Sequence, residues 1–459
     1  MKPIFLLLVA ALSAGPAASA ATRPHFGGTL RVEMRGAIGT FDINEDSTAA
    51  RSLLRGFVLG SVCDRLVELN AKGEPQPSLA TSWRSEREGR SWSFTLRSGV
   101  TLHNGSTLSA QMVIAALTQQ NSDWRGRAND KEVLIQSETP VSNMLYQLAE
   151  PHNSICVAGD GGQWIGSGPF QISGFQAGQM IELRAFDEAW EGRPFLDRVR
   201  IQMGKSLADQ AADFQLGRVD LVENDATQAR LANASVSFTD ALELIALVFT
   251  PNHSAAADTK LREALARAMD RESIYSVLLR RQGEASAALL PEWISGYGHL
   301  FIRPPDVAGA RQLRAQAGAV VPLSLSYDGN DDLAKLIAER VSLNARDAGI
   351  TLQPRPESPA FRSFNADVRL VRIRLESPDA GAALDRIGDI LSVAKLQKAQ
   401  TTAGAEALYA IESDTLQDSS IIPIAHIPEV YSWAPAVHDW VVSRWGKVDL
   451  GNVWMEPSR

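Results

Sequence analysis

The sequence has 459 residues, 45% of them hydrophobic, which is enough for several domain-sized units with ordinary globular cores. Its formal net charge is -8 at pH 7, which argues against nucleic acid as the main partner because phosphate binding needs a basic surface. The sequence has no long run of like charges, so neither an acidic nor a basic tail is expected, and it has no visible internal repeat.

Residues 1–20 have the pattern of a secretory signal peptide. Lys2 gives a short positive segment, residues 4–12 are apolar, and Ala18-Ser19-Ala20 offers the small residues that signal peptidase needs. A membrane anchor is the alternative, but the apolar stretch is too short to span a bilayer comfortably, and Gly15 and Pro16 interrupt it. We therefore expect export to the periplasm and cleavage after Ala20. No cysteine follows the apolar stretch, so a lipid anchor is not expected.

Strand and helix patterns alternate along the first half of the chain. Alternating apolar residues predict strands at residues 28–33, 92–97, 170–173, 181–185 and 199–203. Helical spacing predicts helices at residues 49–59, 109–119 and 207–216. Ser109 is a suitable N-cap for the second of these helices, although Met112 stands where an acid would complete a capping box.

The second half continues this alternation. An apolar strand at 242–250 precedes an amphipathic helix pair at 260–280, and a strand at 323–327 precedes a helix at 331–348. Gly349 is a natural stop for that helix, whose apolar residues are Leu333, Leu336, Ile337, Val341 and Leu343. The alternation predicts an α/β fold. Because no low-complexity linker is present, we expect the chain to cross between domains more than once.

Cys63 and Cys156 are the two cysteines of the chain. In an oxidising compartment they could form a disulfide, whereas two separate buried thiols would behave as small hydrophobic residues. The sequence leaves both alternatives open. The cysteines and the seven histidines show no spacing typical of a zinc site, and we expect neither a metal nor a cofactor.

Three runs in the first third of the sequence resemble the signature of the family 5 extracellular solute-binding proteins. They are Pro77-Ser78-Leu79-Ala80-Thr81-Ser82-Trp83, Trp92-Ser93-Phe94-Thr95-Leu96-Arg97-Ser98-Gly99-Val100 and His103-Asn104-Gly105-Ser106-Thr107-Leu108-Ser109-Ala110. Further similar runs, in the order of the family, are Gly39-Thr40-Phe41-Asp42, Gly166-Ser167-Gly168-Pro169-Phe170, Trp190-Glu191-Gly192-Arg193-Pro194, Leu261-Arg262-Glu263-Ala264-Leu265 and Met269-Asp270-Arg271. Each run is weak by itself, and their joint order carries the resemblance over nearly the whole chain after residue 20.

The resemblance implies a two-lobed periplasmic-binding-protein clamshell, α/β in class and similar to the type II, cluster C proteins, with an extra subdomain in the N-terminal lobe. The family pattern places lobe I at residues 21–57, 165–245 and 430–459, the inserted subdomain II at residues 58–164, and lobe III at residues 246–429.

The motifs that carry the resemblance are mainly scaffold. We expect Trp83, Trp92 and Phe94 in a lobe core rather than against a ligand. The glycines of the turn at 166–168 would permit positive φ and close backbone approach. These motifs therefore do not identify the ligand.

In peptide-binding members of the family, a Trp-x-x-Asp stretch supplies a carboxylate for the α-amine of the ligand. The corresponding run in this sequence is Ile373-Arg374-Leu375-Glu376-Ser377-Pro378-Asp379-Ala380, so Glu376 replaces the Asp, and Ile373 and Ser377 replace the aromatic residues. Glu376 keeps the charge but moves it about one methylene outward, and Arg374 could neutralise it instead. A solvated Glu–Arg strand end is the alternative.

Five other residues are weaker candidates for ligand contact. Ser47 and Thr48 match positions where relatives offer hydroxyl and backbone groups to the ligand. Arg355 follows a predicted strand near a region that faces the cleft in the family, with surface charge as the alternative. Trp293 and Trp164 could stack on a ligand or pack inside the protein.

The function that the resemblance implies is the substrate-binding component of an ABC importer, which captures a small peptide or similar polar solute by hinge closure and delivers it to a permease. The missing capping acid and the altered ligand stretch leave an alternative, a sensor or holdase module of the same fold. Peptide is the first expectation for the ligand, and nickel chelates, haem, opines and oligosaccharides stay open. We expect a monomer that reaches the membrane only through the permease. Catalysis is not expected, because no nucleophile elbow, phosphate loop or paired metal ligands stand out.

Overall fold

The computed structural model describes residues 23–42, 48–225, 228, 230–318, 322–357, 365–401 and 404–456, so the predicted signal peptide lies outside the described residues. The strands are β1 Thr29–Glu33, β2 Val67–Leu69, β3 Pro75–Pro77, β4 Ala80–Glu86, β5 Ser91–Leu96, β6 Trp124–Asn129, β7 Glu132–Ser137, β8 Val157–Ala158, β9 Trp164–Ile165, β10 Phe170–Gln176, β11 Met180–Ala185, β12 Arg198–Gln202, β13 Leu221–Asn224, β14 Ser235–Phe249, β15 Glu284–Ala285, β16 Leu323–Asp328, β17 Leu352–Glu357, β18 Val368–Arg374, β19 Ile421–Trp433, β20 Val437–His438 and β21 Trp454–Met455.

The α-helices are α1 Ala49–Val62, α2 Ala110–Gln120, α3 Met144–Leu148, α4 Leu207–Gln215, α5 Ser254–Ala257, α6 Thr259–Ala268, α7 Arg271–Ser273, α8 Glu292–Ser295, α9 Val307–Gln316, α10 Asp332–Asp347, α11 Ala380–Leu391 and α12 Ala405–Leu416. Of the helices described, none is both long enough and apolar enough to cross a membrane.

Most of the predicted elements are confirmed, with changes at their ends. Ser109 caps α2 by accepting a hydrogen bond from the backbone of Met112, and Gly349 follows α10 with φ +78°. The predicted helix pair is α6 followed by the short α7 and a π-helical turn, Ile274–Leu278. Leu336 and Leu343 are 39% and 41% exposed, because they lie away from the i, i+4 stripe of α10 that faces the core.

One eleven-stranded sheet joins both halves of the chain. Its order is β10-β11-β12-β1-β13-β19-β14-β18-β16-β17, and β15 pairs with β19 outside this path. β1 runs parallel to β12 and β13, and β16 runs parallel to β17 and β18. β14 and β19, of 15 and 13 residues, are antiparallel and lie between these two groups. We call the β1 side of the sheet the first lobe and the β16 side the second lobe.

The two long strands belong to both lobes. β19 pairs with β13 through Val430 to Trp433, whereas β14 pairs with β18 from Glu243 onward. Between these stretches the register of β14 against β19 shifts twice, around Ala241, which lies opposite Pro428. Such irregularities bend strands and increase their twist. The sheet therefore continues from one lobe to the other through an irregular segment, and the two-lobed α/β fold is confirmed.

Each lobe has its own apolar core. In the first lobe, α1 packs on the sheet through a cluster that includes Leu30, Leu54 and Val199. In the second lobe, alternate residues of β14 point to opposite faces, so that Ile245 joins one core cluster and Leu244 another. The second lobe is therefore covered on both faces of the sheet.

A smaller unit lies between α1 and β10. Its four-stranded sheet has the order β4-β5-β7-β6 and packs against α2. Trp92 and Phe94 lie in its core, with Trp83 packed against them, as the sequence predicts. The residue bounds predicted for the domains stay a prediction.

The turn at 166–168 shows why its glycines are needed. Neither has positive φ, contrary to one part of the expectation, but both lie against backbone. A Cβ at Gly166 would lie 2.1 Å from the carbonyl oxygen of Val62, and one at Gly168 would lie 2.7 Å from that of Ser61. His103 binds the turn with both ring nitrogens, Nδ1 to Gly166 N at 3.3 Å and Nε2 to Gly168 O at 3.0 Å. Close approach of the backbone, rather than conformation, explains these glycines.

Cys63 and Cys156 form a disulfide, with their Cα atoms 5.6 Å apart. This resolves the alternatives that the sequence left open. Cys63 ends α1 and Cys156 precedes β8, so the bond joins the two ends of the segment that contains the four-stranded sheet. It closes a loop with a sequence separation of 93 residues.

Replacing both cysteines by alanine should lower the free energy of unfolding by about 2–4 kcal/mol, because the unfolded chain then regains the freedom that a long closed loop removes. Urea unfolding of the oxidised protein and of the double variant measures the difference. Wild-type protein treated with a reductant should match the double variant, and an unfolding midpoint that does not respond to the reductant would contradict the prediction.

Candidate functional site

Arg374 and Glu376 lie at the end of β18, where the two lobes face each other. Arg374 is opposite Glu243 of β14, beside the irregular segment of the long strands. The side chains of Arg374 and Glu376 are only 4% and 6% exposed. The alternative of a solvated Glu–Arg strand end is therefore wrong, because both charged groups are buried.

Glu376 is bound by residues from both sides of the cleft. Its carboxylate accepts a hydrogen bond from the hydroxyl of Ser52 in α1, and Arg374 Nη1 lies 3.6 Å from Glu376 Oε1. Burial by itself would raise the pKa of Glu376, but the charges of Arg386 and Arg374 and the Ser52 hydrogen bond outweigh it and lower the pKa. Glu376 is thus held ionised by cationic and hydroxyl neighbours.

Arg374 has a closer partner in Glu429 of β19, to which its Nε donates a hydrogen bond. Its Nη2 donates to the carbonyl oxygen of Gly446 at 3.1 Å, and the hydroxyl of Tyr431 donates to Glu429 Oε2 at 3.1 Å. Gly446 has φ +75°, and a Cβ there would lie 2.4 Å from Arg374 Nη2. Only glycine leaves the space that this buried guanidinium occupies.

Arg372, two residues earlier on β18, makes a second set of ion pairs. It donates to both carboxylate oxygens of Glu243 and to Asp331, the N-cap of α10. Asp331 also lies 3.7 Å from Arg35, which donates to Glu223 of β13 at 2.7 Å. Burial opposes ionisation of Asp331, but the charges of Arg372 and Arg35 lower its pKa. Since Arg35 follows β1 and Asp331 opens α10, this ion pair connects the two lobes.

We call these two neighbouring buried sets of ion pairs together the central ion network. One set consists of Arg35, Glu223, Glu243, Asp331 and Arg372, and the other of Arg374, Glu376 and Glu429. The network has more carboxylates than guanidinium groups. The cavity beside it has a volume of about 20 Å³, room for about one water molecule. A larger ligand therefore enters only when the lobes separate or the ion pairs rearrange. Within the described part of the chain, no group of three or more His, Cys, Asp or Glu side chains is placed to hold a metal ion.

Thr48 and Trp293 have structural partners. Thr48 is the N-cap of α1, and its Oγ1 accepts from the backbone of Arg51 at 3.4 Å. Trp293 donates from Nε1 to the carbonyl oxygen of Ala241 at 2.9 Å, which attaches α8 to the irregular part of β14. Ser47 lies outside the described residues.

Two further candidates lie away from the central ion network. Arg355 is exposed on β17, the last strand of the sheet, and its Nη2 donates to Gln353 Oε1 at 3.4 Å. This position agrees with the alternative of a surface charge, and a contact of Arg355 with a ligand stays a prediction. Trp164 is 5% exposed and packs edge-on against Phe41 in the core of the first lobe.

The sequence predicts two members of this network and misses the other six. A signal was present, because Glu243 and Glu429 are charged residues inside apolar stretches of β14 and β19. A charge in such a position must find a partner when the strand is buried. The partners themselves come from distant segments of the chain, and no local pattern identifies them.

A family model described as bacterial extracellular solute-binding proteins, family 5, middle region, matches residues 74–389, more than half of the chain. The oligopeptide-binding protein AppA of Bacillus subtilis is 26% identical over 351 residues, which cover 66% of this chain and 61% of that protein. The nickel-binding periplasmic protein of Escherichia coli is 24% identical over 344 residues, which cover 64% of this chain and 65% of that protein. The chain thus spans less than two thirds of the length of these curated relatives.

The fold resembles the crystal structure of NikA from Staphylococcus aureus in complex with Ni(L-His)2. The TM-score is 0.82 with 15% sequence identity, and the match covers 93% of this chain and 100% of that chain. At this identity the likeness shows a shared fold.

Replacing Arg374 by methionine should lower the free energy of unfolding by about 3–5 kcal/mol, because Glu429 would stay buried without its cation and Glu376 would lose its ion-pair partner. Urea unfolding measures the loss. Arg84→Met is the matched control, since Arg84 makes ion pairs at the surface with 66% of its side chain exposed, and should cost at most about 1 kcal/mol. Equal losses in the two variants would show that the buried pairing of Arg374 is unimportant.

Proposed function

The chain belongs to the family 5 bacterial extracellular solute-binding proteins, and on this premise we propose that it captures a small polar solute by closure of its lobes and delivers it to the permease of an ABC importer. It does so as a monomer without catalysis. Export to the periplasm, with cleavage after Ala20, brings it to the face of the membrane where the permease accepts its ligand. The domain bounds given above, with residues 58–164 as an insert, belong to the same proposal.

One observation carries the proposal: buried polar side chains from opposite sides of the cleft meet each other. Ser52 of α1 contacts Glu376, and Arg35 of the first lobe contacts Asp331 of the second. Contacts of this kind exist only when the lobes are closed, so they bias the equilibrium between open and closed forms. The irregular segment of β14 and β19 is the place where a hinge can absorb the movement.

The ligand that we propose first is a short peptide. Glu376 and Arg374 are the residues proposed to contact it, since in the open protein both would face the cleft. An ionised carboxylate beside a serine hydroxyl suits the N–H donors of a peptide, and the guanidinium suits a carboxylate. Thr48 and Arg355 are left out of this proposal because one caps a helix and the other faces solvent.

Small-angle X-ray scattering tests closure directly. Purified protein without residues 1–20 is measured alone, with tri-alanine and longer alanine peptides, and with Ni(L-His)2. A ligand should reduce the radius of gyration toward the value calculated for the closed arrangement, and at about 100 times its dissociation constant should add about 2.7 kcal/mol of stability. Glu376→Ala should abolish the effect of the peptides. If the folded protein responds to no member of this panel in either measurement, the proposed capture of such solutes is wrong.

Ser52→Ala should weaken binding of the ligand found in this way about tenfold, mainly through faster dissociation, because the closed form loses a hydrogen bond to a buried carboxylate. Titration calorimetry gives the dissociation constant, and stopped-flow kinetics gives the dissociation rate. Ser276→Ala is the control, because that hydroxyl donates to the backbone of its own helical segment at 2.8 Å and does not bridge the lobes. An unchanged dissociation rate in Ser52→Ala would contradict a role in closure.

A further inference from the structure

A second, larger cavity lies between the small unit and the second lobe. Its volume is about 450 Å³, within the range of small-molecule sites. One wall is the end of α2 and the start of β6, and another is the segment after α3. The third wall is one face of α11, formed by Ala382, Asp385, Arg386 and Asp389 at i, i+3, i+4 and i+7. The cavity is thus bounded by two units that closure would bring together.

Buried acceptors line this cavity without donors. Glu150 is 3% exposed, and its Oε1 accepts no hydrogen bond from the residues that the structure describes. Oε2 of Glu150 lies 3.2 Å from His152 Nδ1. The buried Oε1 of Gln120 also lacks a donor among the described residues, although its amide nitrogen donates to Ser154 O at 3.3 Å. Buried polar atoms normally have partners, so these oxygens suit a ligand that brings hydrogen-bond donors.

The charged residues that line the cavity favour a positively charged hydrogen-bond donor. Asp123, Glu150, Asp385 and Asp389 line it, against Arg386 and His152. Asp385 makes no hydrogen bond or ion pair with the described residues, whereas Asp389 accepts from Gln397 at 2.9 Å. Burial, followed by the negative charges of Asp389 and Glu150, raises the pKa of Asp385 to about 8, and Arg386 only partly opposes this. A cation placed here would relieve the crowding of carboxylates.

We propose that this cavity binds the ammonium group of the solute, with Glu150 and Asp385 as its acceptors. This inference rests on the proposed function, since it assigns the chemistry of one part of the captured ligand. It moves the ammonium site from Glu376, which Ser52 and Arg374 already engage, to the neighbouring cavity. The class of ligand that follows is a small amine cation.

The same geometry predicts a pH dependence of stability. Because the pKa of Asp385 in the folded protein lies above its usual range, the protonated form favours folding, and this contribution is lost as the pH rises toward 8. The groups that face Asp385 are Asp389 and Arg386 of its own helix, Glu150 and His152 of the adjacent segment, and Asp123. The urea midpoint of Asp385→Asn minus that of wild type should therefore increase as the pH rises from about 5 to about 8.5. A constant difference would contradict the assignment.

Titration calorimetry with cadaverine tests the proposal, with 1,5-pentanediol as the uncharged probe of equal length. Cadaverine should bind and pentanediol should not, at an ionic strength of about 0.15 M that screens surface charges. Binding at neutral pH should release a fraction of a proton, because the cation favours the ionised form of Asp385. Measurement in two buffers of different ionisation enthalpy detects that release. Asp385→Asn and Glu150→Gln should each raise the dissociation constant of cadaverine at least about tenfold, which is the free energy of a shift of one pKa unit.

Glu339→Gln, a neutralised acid exposed on α10, is the matched control and should bind cadaverine as wild type does. Thermal unfolding and circular dichroism establish that each variant is folded. Absence of cadaverine binding, or equal binding by wild type and both cavity variants, would overturn the ammonium site. Closure in response to the peptide and Ni(L-His)2 panel is measured separately, so the proposed capture of solutes can stand when the ammonium site fails.

Discussion

Buried arginines of β18, paired with carboxylates on the two long shared strands, hold the lobes in one arrangement. Charges taken out of water are tolerated only with partners, and Arg372 and Arg374 find theirs on both long strands and at the start of α10. Arg35 of the first lobe approaches the same Asp331, so all these ion pairs are satisfied in one arrangement of the lobes. Replacing such pairs with apolar groups often leaves stability unchanged or improves it. We infer that their main effect is to define how the lobes meet.

The fold was largely predictable, because it depends on local patterns. Alternation located the strands, Ser109 and Gly349 marked helix ends, and Trp92 and Phe94 were correctly assigned to a core. The great length of β14 and β19 was not predictable, since their polar and irregular middle parts interrupt the apolar pattern. In hindsight, that interruption marks the segment shared by the lobes.

The candidate site was predicted only where a motif pointed to it. Glu376 and Arg374 were named, but their burial depends on Ser52, Glu429 and Gly446, which lie far away in the sequence. The place of Arg355 could not be predicted, because a residue's neighbourhood in the sequence says nothing of its strand's position in the sheet. Only the strand order puts β17 at an edge.

The altered stretch, residues 373–377 at the end of β18 and just beyond it, makes structural contacts in the second lobe. Ile373 is buried in the core of the second lobe, and Ser377 Oγ accepts from the backbone of Asp379 at 3.2 Å. Asp379 in turn caps α11 and accepts from Asn143 of the small unit at 3.0 Å. Ile373 and Ser377, which stand in place of the aromatic pair, thus support the start of α11. This helix forms one wall of the cavity lined by Asp123, Glu150, Asp385 and Asp389, which we call the acidic cavity.

The disulfide between Cys63 and Cys156 gives the small unit a fixed base. With its two ends held 5.6 Å apart, the segment between them leaves and re-enters the first lobe at neighbouring positions. Changes inside the loop that spare its own contacts with the first lobe, such as those of His103, would leave the spacing of α1 and the strands that follow unchanged. The protein therefore carries one wall of its acidic cavity on a module that evolution or an engineer can remodel separately from the hinge.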